Sequence, residues 1–194
     1  MIDLPRARIP EAVEVLARGM RDNPVHVAAF GDDPERRVVA LRRMFRGLFK
    51  VMGDNTPLCA LHDGAIVGVT GIAPAGTCQP GMVQRLRFLP TIVAIGPATA
   101  ARVGRWVGDW ANRDPAEPHW HLGPLAVDAH LQGRGIGSAI LAEYTRRMDR
   151  EGIAGYLETD KDVNVTLYER HGFEVVDEAT VIGVRNWFMH RSPR

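Results

Sequence analysis

The chain has 194 residues, 45% of them hydrophobic and 24% charged, with a formal net charge of +1. Such values belong to a globular chain with enough apolar material for a full core, and they exclude disorder. The near-neutral balance leaves no basic face of the kind that nucleic acid requires. Cys59 and Cys78 form no metal-like spacing and read as free thiols of a reducing compartment. The opening "MIDLPRARIPEAV" lacks the apolar stretch of a secretion signal. The longest apolar run, from Phe88, carries two prolines and falls short of the ~20 residues of a membrane span. A soluble cytoplasmic protein, without a membrane partner, is expected.

In chain order, "IPEAVEVLARGMRDN" places Val13, Leu16, Ala17 and Met20 at helical spacing, with Pro10 suited to a first turn. "DPERRVVALRRMFRGLFKVMGD" repeats the pattern with Val38, Leu41, Phe45, Leu48 and Met52, opened by Asp33-Pro34 and closed near Gly53. "PLCALHDGAIVGVTGIAP" reads as a hairpin, two β-rich runs joined by Asp63-Gly64. Residues 80–112 are apolar and helical in period, and are expected to break at Pro90 and Pro97. "NRDPAEP" (112–118) is a loop. From His119 the pattern runs strand, loop, helix (133–150), strand (154–159), helix (162–171) and two closing strands, "FEVVDEAT" and "VIGVRNWFMH". Strands interleaved with helices predict an α/β sheet with parallel pairing at its centre. One domain over residues 1–194, with a helical insertion at about 80–112, is expected.

The stretch most informative about chemistry is "LQGRGIGS", residues 131–138. Glycines let a backbone approach a ligand closely, and a helix start offers N–H groups and a positive dipole end that suit phosphate. A P-loop would need a lysine after its second glycine, and none is present. A dinucleotide turn needs G-x-G-x-x-G directly off a strand. Here Ser138 stands in the last place, Asp128–Gln132 intervene after Val127, and too little chain follows for a dinucleotide fold. Glu158 does fall near the position of a ribose-binding acid, so a dinucleotide-dependent oxidoreductase stays as a distant alternative.

Gln132-x-x-Gly135-x-Gly137, after "LGPLAVDAH" and before a helix striped with Ile136, Ile140, Tyr144 and Met148, resembles the acyl-CoA signature Q/R-x-x-G-x-G/A of the GNAT superfamily of N-acyltransferases. The resemblance runs over about 119–191. "YLETDKDVNVTLYERHGFEVV" is similar to that family's second block, with Asn164, Tyr168 and Gly172-Phe173 in order. Within the superfamily, the ending Gly183-x-Arg185-x-Trp187-x-Met189-x-Arg191 resembles puromycin N-acetyltransferase-like members. The N-terminal half carries no comparable signal.

The resemblance implies a GNAT-like mixed sheet, splayed at its parallel centre, and acetyl-CoA as co-substrate. The N–H groups of Gly133, Arg134, Gly135, Ile136, Gly137 and Ser138 would surround the diphosphate, with the Arg134 side chain either adding charge or pointing to solvent. Gly123-Pro124 interrupts the strand, since proline cannot donate to a ladder, and should produce a bulge there. By resemblance, pantetheine inserts beside that strand against the backbone of Leu125, Ala126 and Val127. The Leu125 N–H would polarise the thioester carbonyl, an oxyanion-type role worth about 3 kcal/mol. Tyr168 would protonate the leaving thiolate, its bland alternative being a core tyrosine. Asn164 would bond the pantetheine arm, or else cap its helix.

His119 and His121 alternate on the strand and therefore face one way. His121 falls where several GNAT enzymes place a general base, and Glu158 on the next strand is its rival. Zinc on His-x-His would need further ligands, which no spacing supplies, so no metal is expected. Neither thiol has a recognisable base motif beside it, which argues against a covalent cysteine route. The segment 80–112, with Phe88, Trp106 and Trp110, could line an acceptor pocket, pack, or form a homodimer surface. The expected reaction is acetyl transfer to a small-molecule primary amine in a ternary complex. A non-catalytic acyl-CoA-binding sensor is the reading from another class.

Overall fold

A computed structural model of the chain describes residues 1–51 and 57–194; the expected helical positions Met52 and Gly53 lie outside them. The chain opens with a two-residue strand β1 (Ile2–Asp3) and then three helices, α1 (Ile9–Gly19), α2 (Pro24–Phe30) and α3 (Pro34–Val51). Each has a local cause. Pro10, Pro24 and Pro34 stand in first turns, where a missing N–H costs nothing. The Asp33 carboxylate accepts the Glu35 and Arg36 N–H groups and so caps α3. The stripe expected on α1 is realised in buried Val13, Leu16 and Ala17.

The hairpin follows as β2 (Leu58–His62) and β3 (Ala65–Ala73), with Asp63 and Gly64 both at positive φ, as its two-residue turn requires. Two helices come next, α4 (Met82–Ile95) and α5 (Pro97–Ala111). The break expected at Pro90 does not occur: α4 runs through Pro90, and the chain turns instead at Gly96, with φ +82°. The remainder is β4 (His119–Val127), α6 (Ile136–Glu151), β5 (Ala154–Thr159), α7 (Asp162–Arg170), β6 (Glu174–Val181) and β7 (Val184–Arg191).

The strands form one mixed sheet in the order β1-β2-β3-β4-β5-β7-β6. Among the described residues its one parallel pair is β4 with β5, at the centre. Alternation along each strand divides the core in two. On one face Cys59, Val69, Tyr156 and Phe188 pack with residues of α1, α2, α3 and α5. On the other, Leu58, Trp120, Leu157 and Met189 pack with Leu141, Tyr144 and Met148 of α6 and Tyr168 of α7. Seven helices thus flank a seven-stranded mixed sheet among the described residues, the mixed α/β fold expected.

The bulge at Gly123-Pro124 is present. Thr70 pairs with Leu125 and Ile72 with Leu122, so Gly71 alone opposes Gly123 and Pro124. A Cβ on Gly71 would stand 2.3 Å from the Gly123 carbonyl oxygen, so glycine is what lets β3 follow the bulged strand this closely.

Candidate active site

Beyond the bulge the two central strands part. β4 and β5 pair only over His119–His121 and Ala154–Tyr156, although β4 continues to Val127 and β5 to Thr159. Leu125, Ala126 and Val127 pair with Thr70, Val69 and Gly68 of β3. Among the described residues no strand pairs with their other edge. The sheet therefore holds a wedge with an open backbone edge, of the kind an extended amide-bearing chain can join.

At the wide end lies the glycine loop. Gly133 and Gly135 adopt φ of +75° and +80°, and a Cβ on either would meet nothing within 4 Å. Gly135 is the N-cap of α6 and no side chain caps that terminus. The N–H groups of Ile136, Gly137 and Ser138 begin the helix without intrahelical acceptors, so the positive end of α6 faces open space. A diphosphate suits such a cradle.

The flanking side chains have structural tasks. The Gln132 amide donates to the carbonyls of Gly19 (3.3 Å) and Val127 (3.1 Å), bracketing the loop between α1 and β4. Arg18 reinforces this with an ion pair to Asp128 at the loop's start. Ser138 shares a 2.8 Å hydrogen bond with His171. Arg134 is exposed. Asn164 donates to the Thr159 hydroxyl at 3.2 Å, and because α7 has Lys161 as its N-cap, the capping alternative for Asn164 falls away.

On the face covered by α1 to α5, His121 Nε2 lies 2.9 Å from Oε2 of Glu158, whose side chain is 3% exposed. The two residues span the start of the wedge. The other nitrogen, Nδ1, lies 3.3 Å from Asp114 Oδ1. His119 and His121 do share a face, with Tyr156 packed edge-on against both rings at 5.4 and 5.6 Å. His119 Nε2 approaches Asp114 Oδ1 at 3.2 Å and the Cys78 sulfur at 3.5 Å, while its Nδ1 sits 2.8 Å from the Glu117 carbonyl. The Asp114 hydrogen bond, aided by Cys78, raises the His119 pKa to about 10. Burial works against charge on His121, yet Glu158 and Asp114 raise its pKa well above the usual 6.5. Burial likewise opposes a Cys78 thiolate, but the two histidines outweigh it and bring the thiol to about 7.

Two expectations change here. The expectation that neither thiol has a base nearby fails at Cys78, which has His119 Nε2 3.5 Å from its sulfur. The missing ligands near His-x-His also exist: Cys78, Asp114, His119 and His121 present donor atoms within 4.8 Å of one another. Sequence reasoning passed over Cys78 and Asp114 because each sits in a loop, 41 and 5 residues before His119, and only tertiary structure unites them.

On the opposite face, Tyr168 of α7 packs with Leu122 and Leu157, the side chains flanking the wedge. Among the described residues no group accepts its hydroxyl hydrogen, whereas Tyr144 and Tyr156 donate to the carbonyls of Trp120 and Arg113. Burial pushes the Tyr168 phenol well above its usual value. Trp106, 6% exposed, lies in the core with its Nε1–H without a partner among the described residues, and Trp110 donates to Asn186 Oδ1 at 3.1 Å. The closing-strand residues are likewise occupied: Arg185 pairs with Glu178 over the Trp187 ring, and Arg191 pairs with Asp149. No helix among the described residues is long and apolar enough to cross a membrane.

Comparison with known proteins agrees with this geometry. An acetyltransferase from Corynebacterium glutamicum, described as histone acetyltransferase HPA2 and related, superposes with a TM-score of 0.76 at 22% identity, over 100% of this chain and 95% of that one. Arylalkylamine N-acetyltransferase 2 from Aedes aegypti gives 0.66 at 12% identity, over 100% and 98%. The PaiA N-acetyltransferase from Thermoplasma acidophilum, solved with coenzyme A, gives 0.59 at 13%, over 98% and 96%. At these identities the likeness is one of fold. The profile of the acetyltransferase (GNAT) family matches residues 26–173, a span that holds the split strands, the glycine loop and Tyr168, and the chain belongs to that family.

Proposed function

We propose that the protein moves an acetyl group from acetyl-CoA to a primary amine by direct attack in a ternary complex. The observation that carries this reading is the wedge between β4 and β5, which runs from the His121–Glu158 pair to the uncapped N-terminus of α6. Acetyl-CoA supplies an activated acyl carbonyl and a thiol leaving group. The N–H groups of residues 133–138 hold its diphosphate, and the free edge of Leu125, Ala126 and Val127 pairs with its amide-bearing arm. The Leu125 N–H donates to the acyl oxygen as negative charge develops there.

Proton traffic divides between the two faces of the sheet. On one, the buried Glu158 carboxylate, oriented by its hydrogen bond to His121, accepts the proton of the attacking amine. On the other, Tyr168 keeps its proton until an anion forms beside it. Burial that opposes a phenolate opposes a bare thiolate equally, so the hydrogen bond between them strengthens as the thiolate develops.

The likeness of the closing strand to puromycin N-acetyltransferase-like members makes an amino-nucleoside one candidate amine. Incubation with acetyl-CoA and a panel of alkyl, arylalkyl, amino-nucleoside and peptide amines, reading free thiol, tests the proposal. Amine-dependent thiol release is expected; a sensor would bind acetyl-CoA and release none. Glu158→Gln should lower kcat by about 10²–10⁴-fold, the usual yield of a positioned base. Unchanged turnover in that variant would remove Glu158 from the mechanism.

A further inference from the structure

Four side chains of different chemistry converge beside the wedge from two loops and one strand: Cys78, Asp114, His119 and His121, all donor atoms lying within 4.8 Å. Three of the distances between them are 3.5 Å from Cys78 Sγ to His119 Nε2, 3.2 Å from His119 Nε2 to Asp114 Oδ1, and 3.3 Å from Asp114 Oδ1 to His121 Nδ1. Zinc holds its ligands at about 2.0–2.3 Å, so a tetrahedron around it has edges of about 3.3–3.7 Å. The measured separations are close to such edges.

The outer contacts point the same way. A metal-binding histidine has its second nitrogen held by a carbonyl or carboxylate, which fixes the tautomer and aims the free lone pair. His119 has Nδ1 on the Glu117 carbonyl at 2.8 Å, leaving Nε2 for the centre. His121 has Nε2 on the Glu158 carboxylate at 2.9 Å, leaving Nδ1 for the centre. The second oxygen of Asp114 accepts from the Gln79 amide at 3.1 Å. All three are therefore steered by partners outside the cluster. Without a cation, His121 has a carboxylate at both nitrogens and Asp114 Oδ1 faces two imidazoles. A divalent ion at the centre would take the place of the protons those groups share.

We propose that Cys78, Asp114, His119 and His121 bind one zinc-type divalent ion in a tetrahedral site. The donor set of one thiolate, two imidazoles and one carboxylate is of the borderline-soft kind that suits zinc. Four protein ligands close the coordination sphere, so the ion is structural: it fastens the segment before α4 and the loop after α5 onto β4. On binding, His119 Nε2, His121 Nδ1 and Cys78 Sγ each release their proton to solvent and form bonds to the ion beside Asp114 Oδ1; no electron is transferred. The site does not depend on the acetyl-transfer reading, although the ion would fix the ring that orients Glu158.

The test uses metal binding, not turnover. Protein freed of metal with a chelator is titrated with zinc against a chromophoric competitor, then with cobalt. Wild type should take up about one equivalent. Its cobalt form should show a thiolate-to-cobalt charge-transfer band in the near ultraviolet, with the intense visible bands of a tetrahedral ion. Cys78→Ser should abolish the charge-transfer band, and Gln79→Leu should weaken zinc binding by about 10-fold or more. Should the variants misfold, wild type alone still decides: zinc should protect Cys78 from alkylation and a chelator should restore its reactivity, with buried Cys59 as the control. Cys78 reacting equally with and without zinc would overturn the site. So would an acetyl adduct on Cys78 formed with acetyl-CoA alone in zinc-supplemented protein, because a bound thiolate is not free to attack.

Discussion

A single hydroxyl separates two descriptions of Tyr168. As a core residue it would be expected to bond a buried acceptor, as Tyr144 does with Trp120; instead its hydrogen has no acceptor among the described residues, on the face of the wedge opposite Glu158. Tyr168→Phe keeps the ring and its 6.1 Å contact with Phe173 while deleting the donor. If that donor serves the leaving thiolate, kcat falls by about 10²–10⁴-fold and acetyl-CoA affinity is retained. If only the ring matters, no hydrogen bond is lost and turnover and stability both hold. Titration calorimetry beside steady-state kinetics separates the outcomes. Tyr168 and the loop glycines stood out in the sequence because each lies in a short motif whose residues are adjacent in the chain. The pairing of His121 with Glu158 was legible only as a rivalry, since adjacent strands set the candidates but not the 2.9 Å hydrogen bond between them. Cys78 and Asp114 were not legible, because nothing in a loop's own sequence states which loop it will meet.

At the scale of elements, the proposed reading sets the diphosphate on the N-terminus of α6, and the other features of that helix hold the terminus still. Ile140, Tyr144 and Met148 are fully buried against the sheet, and the Gln132 and Asp128 contacts fix the preceding loop to α1. The periodic stripe and the glycines announced this helix; its first residue, Ile136 and not Gly133, depended on two left-handed glycines that composition alone does not assign. Pro90 went the other way, because a helix surface open to solvent tolerates a local loss of one hydrogen bond. Acetyl-CoA at 100 times its dissociation constant should stabilise the fold by about 2.7 kcal/mol. For a chain of this size that is a rise in Tm of about 5–11 °C. Gly135→Asp sets a carboxylate at the helix N-cap where the diphosphate should sit, at a φ that also disfavours a side chain. The rise should vanish in a variant that remains folded by circular dichroism. A full shift in that variant would move the diphosphate away from this loop.

For the whole molecule, the sheet joins two unequal halves, and the N-terminal helices, about which the sequence said least, carry a pH dependence of their own. His26 of α2 is buried among Phe30, Phe45 and Trp106, with its Nδ1–H donating to the Met20 carbonyl at 2.9 Å. Burial disfavours the imidazolium, the Met20 carbonyl offsets only part of this, and the charges of Lys161 and Arg37 add to it, so the pKa falls from 6.5 to about 4. The folded state therefore binds the His26 proton less readily than the unfolded chain does. Between pH 6.5 and 4 the unfolded state carries the extra proton, and stability falls with pH across that window, levelling off below it. A depression of this size corresponds to about 3 kcal/mol lost from the upper to the lower end. His26→Asn retains an amide donor for Met20 and removes the titration. Its absolute stability will drop, because a smaller side chain leaves space among three aromatic rings, so the informative quantity is the slope. Urea unfolding at pH 7, 6, 5 and 4 should show the wild type losing about 3 kcal/mol more than the variant. The rest of the chain is common to both proteins, so equal slopes would remove His26 as the cause and place the acid sensitivity elsewhere in the fold.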